Sequence, residues 1–218
     1  GELLPLNKKT GRWTIRRMPD KRCLTVQWGN KTGKKLFLMA GWQICSAEGL
    51  EVLALVTRKK FESGLPIASL IQQIAAAGAL PVIPWGFGKW MGRRGKVLKS
   101  MLSETIEWPF FLGDNQQRPH FLIEPLQFRM AVKNGFRILP GSDPFPFRRE
   151  QHRAGAFGFF SKTPFSNAHA GEDVLSIALN QSAPILPYGC RQDTVSFLIM
   201  QIAMQIRKLL KGGRHTAL

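Results

Sequence analysis

The chain has 218 residues, 44% of them hydrophobic, and carries 31 lysines and arginines against 14 acidic residues, for a formal charge of +17. That size and apolar content support one domain spanning 1–218 with a sizeable core, while no run approaches the roughly 18 to 20 apolar residues of a membrane span. Three isolated cysteines, Cys23, Cys45 and Cys190, exclude a disulfide framework and a paired-cysteine metal site. The chain therefore reads as soluble and cytoplasmic, with a charge that favours polyanionic partners such as phosphorylated molecules, nucleic acid or acidic protein surfaces.

Residues 1–34 form a basic, β-rich N-terminal segment in which Leu24-Thr25-Val26-Gln27-Trp28 alternates like a strand entering a turn at Gly29-Asn30. Its cations, among them Lys8, Lys9, Arg12, Arg16 and Arg17, line a solvated ribbon or a polyanion-binding face with equal ease. Residues 35–45 and 50–57 are apolar enough for sheet strands, and Ser46-Ala47-Glu48-Gly49 between them predicts a hairpin.

From Leu65-Pro66 a helix begins, with Ile67, Leu70, Ile71 and Ile74 at helical spacing and Gly78 at its end. A strand comes next at 80–84, its exit forced to turn by Pro84. A short helix is expected at 96–102 and a brief strand at 110–112, ending in Gly113-Asp114-Asn115. The helix, glycine and strand arrangement then recurs at 125–134, Gly135 and 136–139, closing in Gly141-Ser142-Asp143. Another strand is expected near 156–160 and a helix near 172–179. A long helix over about 193–211 starts at Asp193 or Thr194 and presents Val195, Leu198, Ile199, Ile202, Ile206 and Leu209 as an apolar stripe. Residues 212–218 read as a frayed tail.

Repeated αβ units imply a parallel sheet covered by helices, and such sheets place their chemistry in the turns after the strands. Two turns qualify. Residues 85–96 combine four glycines, two tryptophans and four cations ahead of a helix, a composition suited to cradling phosphate through backbone amides or to stacking bases. Lys89, Arg93, Arg94, Trp85 and the nearby Asn115 are the candidate ligand-binding residues. A Walker loop is absent, since Val97 follows Lys96. The second turn places Asp143 at a strand end, and Asp114 after the neighbouring strand would lie at the same edge, so these are the candidate catalytic carboxylates. The four histidines, His120, His152, His169 and His215, form no paired metal motif, and no nucleophile elbow occurs.

The order of these segments resembles the PHP superfamily, the polymerase and histidinol phosphatase metal-dependent phosphoesterases. The resemblance rests on Gly41-Trp42-Gln43-Ile44, on Gly78-Ala79 leading into Leu80-Pro81-Val82-Ile83-Pro84, and on Gly141-Ser142-Asp143-Pro144-Phe145. It implies an α/β fold, a distorted or incomplete β/α (TIM-like) barrel. Gln43 stands where the family has a metal-binding Glu, Ile83 and Phe145 where it has His, and only Asp143 keeps its ligand type; the family's opening His-x-His is absent. A divalent metal is implied by the family, but this donor set predicts that it does not bind stoichiometrically. The expected function is thus that of a PHP-like phosphoesterase homologue with a degenerate metal site and a basic pocket for a phosphorylated ligand. The alternative is a non-catalytic module that binds nucleic acid or another polyanion.

Overall fold

The computed structural model describes residues 7–19, 21–29, 35–104, 107–163, 165, 166 and 169–212. The expected tail beyond residue 212 lies outside them, as does Asn30 of the first predicted turn.

The N-terminal segment is an antiparallel meander of β1 (Asn7–Thr10), β2 (Trp13–Arg17), β3 (Cys23–Trp28) and β4 (Lys35–Met39) in sequential order. Strand alternation sends Cys23, Phe37 and Met39 to one face and Ile15, Leu24, Val26 and Leu36 to the other. The apolar stretch read as one strand over 35–45 is divided at Ala40. The Ala40 N–H donates to the Arg22 carbonyl in the first sheet (2.8 Å), while its own carbonyl accepts from Thr57 N (3.0 Å) beside the second. One residue thus hands the chain from one sheet to the next.

The second sheet runs β5 (Gly41–Cys45), β6 (Glu51–Leu55), β7 (Leu80–Pro84), β8 (Phe111–Asn115) and β9 (Ile138–Gly141), again in sequential order. Strand β6 runs antiparallel to both of its neighbours, β5 and β7, and β7, β8 and β9 run parallel. Two of the crossovers are helical: α2 (Gly92–Ser103) between β7 and β8, and α3 (Leu126–Lys133) between β8 and β9; α1 (Ile67–Ala76) precedes β7. These three helices cover one face of the sheet. Ile44, Val52, Ala54, Ile83 and Leu112 meet Leu70, Ile71 and Ile74 of α1, Leu98 and Leu102 of α2, and Phe128 of α3 in the largest apolar cluster. Strands β7 and β8 are buried along their whole length, which is why they read as continuous apolar runs rather than alternating ones.

The expected β/α barrel is not what the chain forms. The central sheet has five strands, its order begins at β5 and ends at β9, and those two strands do not pair with each other, so the sheet stays open. The physical reason lies in the chain's path beyond β9. It passes through a 3-10 turn (Arg148–Arg153), pairs β10 (Gly158–Phe160) only with β11 (Leu186–Tyr188), and lays α4 (Ala170–Leu179) across the face that a closed barrel would turn inward. Val174, Leu175 and Ala178 of α4 pack there against Leu80, Val82 and Phe111. The carbonyls at the end of α4 are claimed by the buried Arg137, whose Nη1 donates to Ile177 O (3.2 Å) and Ala178 O (3.1 Å) and whose Nη2 donates to Ala183 O (2.6 Å). The last helix, α5 (Thr194–Gly212), begins where the Asp193 carboxylate accepts from Ser196 N at 2.9 Å, a bond that lowers the Asp193 pKa. No helix among the described residues is long and apolar enough to cross a membrane.

Candidate functional site

All five central strands bring a polar group to the same edge of the sheet. The register puts Gln43 of β5 diagonal to Glu51 at the start of β6, on the face that α4 covers. Gln43 Nε2 donates to Glu51 Oε2 at 2.6 Å, and Lys89 Nζ, from the turn after β7, donates to the same oxygen at 2.6 Å. Next along the edge is Asn115, the last residue of β8. Its Nδ2 donates both to the Trp85 carbonyl (2.8 Å) and to Asp143 Oδ2 (3.1 Å), beyond the end of β9. Since both of those partners accept only, the Asn115 amide orientation is fixed. The row thus runs Gln43, Glu51, Lys89, Asn115 and Asp143.

Asp143 closes the row under electrostatic tension. Although the residue keeps exposed surface, the protein packed around its carboxylate raises its pKa by desolvation; the Lys89 charge and the Asn115 hydrogen bond oppose this rise, and the Glu51 charge adds to it. Its backbone sits at φ 39°, a left-handed conformation that Asp tolerates better than most residues. The turn is held from outside by the Gln117 side-chain amide, which donates to the Asp143 carbonyl, and by Ser142 Oγ, which accepts from Gly155 N at 3.0 Å.

Beneath Asn115 and Asp143 lies a half-open cavity of about 360 Å³ between the sheet and α4. Its walls are apolar: Leu53, Leu55, Leu80, Val82, Leu139, Phe159 and Val174 among them. Strand alternation explains the combination, because Asn115 shares a face with Phe111 and its β9 neighbours Leu139 and Gly141 lie beside it. An apolar chamber with a polar rim at strand C-termini is the usual form of a small-molecule site in open α/β sheets.

The sequence candidates are distributed unequally. Lys89, Asn115 and Asp143 join the row. Asp114 does not: both of its oxygens are taken by the buried Arg118, Nε to Oδ1 at 2.8 Å and Nη2 to Oδ2 at 2.6 Å, and its hydrogen-bonded face is the helix-covered one. The paired carboxylate therefore belongs to a structural ion pair, stacked by Arg118 on Phe128 at 5.4 Å. Trp85 is buried at 7% exposure and Trp90 at 6%, both in the main core, so neither ring is presented for stacking. Arg94 donates to the Gly88 carbonyl at 3.2 Å, and Arg93 lies close enough to Glu48 to help lower its pKa. With Lys89 held by Glu51, the three cations each face an acceptor of this chain instead of converging on one anion.

Two of the four glycines of this turn serve close packing, while Gly88 and Gly92 adopt left-handed backbone at φ 70° and 57°. A Cβ on Gly95 would lie 2.3 Å from the Trp90 carbonyl oxygen, and one on Gly86 would lie 2.4 Å from the Lys89 side chain that folds over it. Of the positions that carry the family resemblance, Gln43 and Asp143 share the row, whereas Ile83 is fully buried against the helices and Phe145 packs with Phe147 at 6.4 Å. Among the described residues no three His, Cys, Asp or Glu side chains gather to hold a metal. Glu51 is already paired with the Lys89 ammonium, whose charge also acts on Asp143, so the donor set does not fit the divalent cluster that the resemblance implies.

Glu51 is the residue that sequence reasoning missed. The available signal was its place at a strand start, across a five-residue hairpin connection from the strand that carries Gln43. Compared with protein-family models and with curated proteins, the chain matches none.

Proposed function

We propose that this chain is a small-molecule-binding protein that does not hydrolyse phosphoesters, and that its ligand has an apolar body and a hydrogen-bond-donating head such as an ammonium. The observation that supports this most is the apolar cavity opening beside Asp143, at the end of a row in which two carboxylates face one ammonium. The cavity takes the body by burial. The Asp143 carboxylate, at the cavity's rim with Asn115 donating to its Oδ2, takes the head and gains more from a cation than from a neutral donor. Kinship to PHP-type phosphoesterases is part of this reading, supported by Gln43 and Asp143 in one row. Lys89 then supplies permanently, as an ammonium, the positive charge that a metal supplies in a hydrolase.

Calorimetric titration with hexylamine, hexanol and hexyl phosphate tests the assignment. The amine is expected to bind most tightly and the phosphate least, and Asp143→Asn should erase the advantage of the amine over the alcohol. Tightest binding of the phosphate, or manganese-dependent release of phosphate from a phosphomonoester, would overturn it.

A second reading, polyanion binding, is favoured by a separate groove on the N-terminal sheet. It measures about 410 Å³ and includes Arg16, Lys35, Thr25 and His169. Nucleic-acid affinity there must fall steeply with salt through counterion release, and affinity insensitive to salt or absent at about 150 mM removes this reading.

A further inference from the structure

Helix α5 carries two stripes on nearly opposite sides. The inner one, Phe197, Met200, Met204 and Arg207, fastens the helix to its own chain. Phe197 and Met200 are each 2% exposed; Phe197 meets the rings of Phe87 (5.2 Å) and Phe121 (6.0 Å), and Arg207 donates to the Pro146 carbonyl at 2.8 Å. The outer stripe is Val195, Ile199, Ile202, Ile206 and Leu209, exposed at 66%, 46%, 61%, 52% and 75%. Their spacing alternates four and three residues without a break, the hydrophobic repeat of a helix that packs along another helix. A helix that only dressed the surface of its own domain would need the inner stripe alone.

We propose that the outer stripe pairs with the same stripe of a second copy, making an isologous homodimer through α5. Charge selects this occupant. In a chain of +17, two copies meet only where cations are kept out of the contact, and the residues flanking the stripe, Ser196, Leu198, Ala203 and Gln205, are all uncharged. Arg207, one of the helix's cations, is turned inward to Pro146 and the Phe147 ring. An acidic partner would find no cation on the stripe to answer it. The area sets the strength. From Val195 to Leu209 the helix runs roughly 21 Å, short of the roughly 800 Å² per partner of a standard interface. A dissociation constant in the micromolar range is therefore expected, with monomer and dimer in exchange.

Analytical ultracentrifugation from about 1 to 100 µM tests the pairing on the whole chain. The wild type should shift from monomer to dimer over that range, and Ile202→Glu should stay monomeric throughout, a loss of at least about 100-fold, with a melting temperature equal to the wild type's at the dilute end, where both are monomers and the site is exposed. Ile202→Leu should keep the dimer and separates loss of pairing from loss of fold. A wild type that remains monomeric, a dimer indifferent to Ile202→Glu, or a monomer that instead partitions through α5 onto anionic vesicles would each overturn the proposal.

Discussion

The two faces of the central sheet are built from the same strands and packed to different degrees. On one, α1, α2 and α3 pack Leu70, Ile74, Ile83, Leu98 and Leu112 out of all contact with solvent, and the open space lies at the β9 edge, in a groove between Phe128 and Val132 of α3 and Ala183 and Pro187. On the other, the single helix α4 crosses the sheet and leaves about 360 Å³ unfilled beside Asn115 and Asp143. Helices that serve as crossovers are forced onto the sheet by short connections, whereas α4 arrives after a long excursion through the 3-10 turn and β10. The packed face supplies stability, and the face that packing leaves incomplete is where a ligand finds room.

The largest expected difference between the faces is in the cost of truncation. Leu112→Ala, in the packed core, should lose about 3 to 4 kcal/mol, and Leu139→Ala, beside the existing cavity, about 1 kcal/mol or less; urea unfolding measures both, and equal losses would abolish the distinction. Gly95→Ala comes next. Its Cβ would collide with the Trp90 carbonyl where α2 approaches the turn, so a loss of about 2 kcal/mol is expected, and a neutral result would mean that the turn yields.

A smaller effect is expected at Glu48. Both of its carboxylate oxygens accept from Ile67 N, at 3.2 and 3.0 Å, supplying the cap that Pro66 lacks at the start of α1. Burial pushes the Glu48 pKa up, but the Ser46 hydroxyl, the backbone N–H groups and the Arg93 charge together bring it below 4.5. A depressed carboxylate stabilises above its unfolded pKa, and that contribution disappears as pH falls through the folded value. Glu48→Gln should therefore cost about 1 kcal/mol at pH 7 and progressively less in acid. A penalty that does not change with pH would assign the effect to packing.

Asp143 has the opposite sign and the smallest effect. Its raised pKa favours folding below the ordinary value of 3.8 and withdraws that support as pH rises through the folded value. Asp143→Asn should melt slightly higher than the wild type at pH 7 and show no advantage below that value, as thermal melts at the two pH values will show. A lower melting temperature at pH 7 would mean that the carboxylate is satisfied by its neighbours.

Local signals made much of the packed face legible. Ile67, Leu70, Ile71 and Ile74 at helical spacing, closed by Gly78 and succeeded by a continuous apolar strand, specify α1 and β7 without reference to the rest of the chain. The Gly135 unit does the same for α3 and β9. Whether the sheet closes was not legible, because closure depends on which distant strand β9 meets, and nothing within residues 136–143 encodes that partner. Ala40 shows the same limit: an apolar run that looks like one strand is cut by two hydrogen bonds to different sheets. At the site, Asp143 and Lys89 stood out by residue type and position. Glu51 and the capture of Asp114 by Arg118 did not, since each is fixed by side-chain directions that only the folded register determines.

The cavity claim meets its most direct test in equilibrium binding of hexylamine to the wild type and to Ala178→Leu, which places extra side chain in the chamber from α4. Saturable binding of one molecule per chain, weakened at least about tenfold in a variant that melts no lower than the wild type, is the predicted result. Equal binding to both proteins would contradict it.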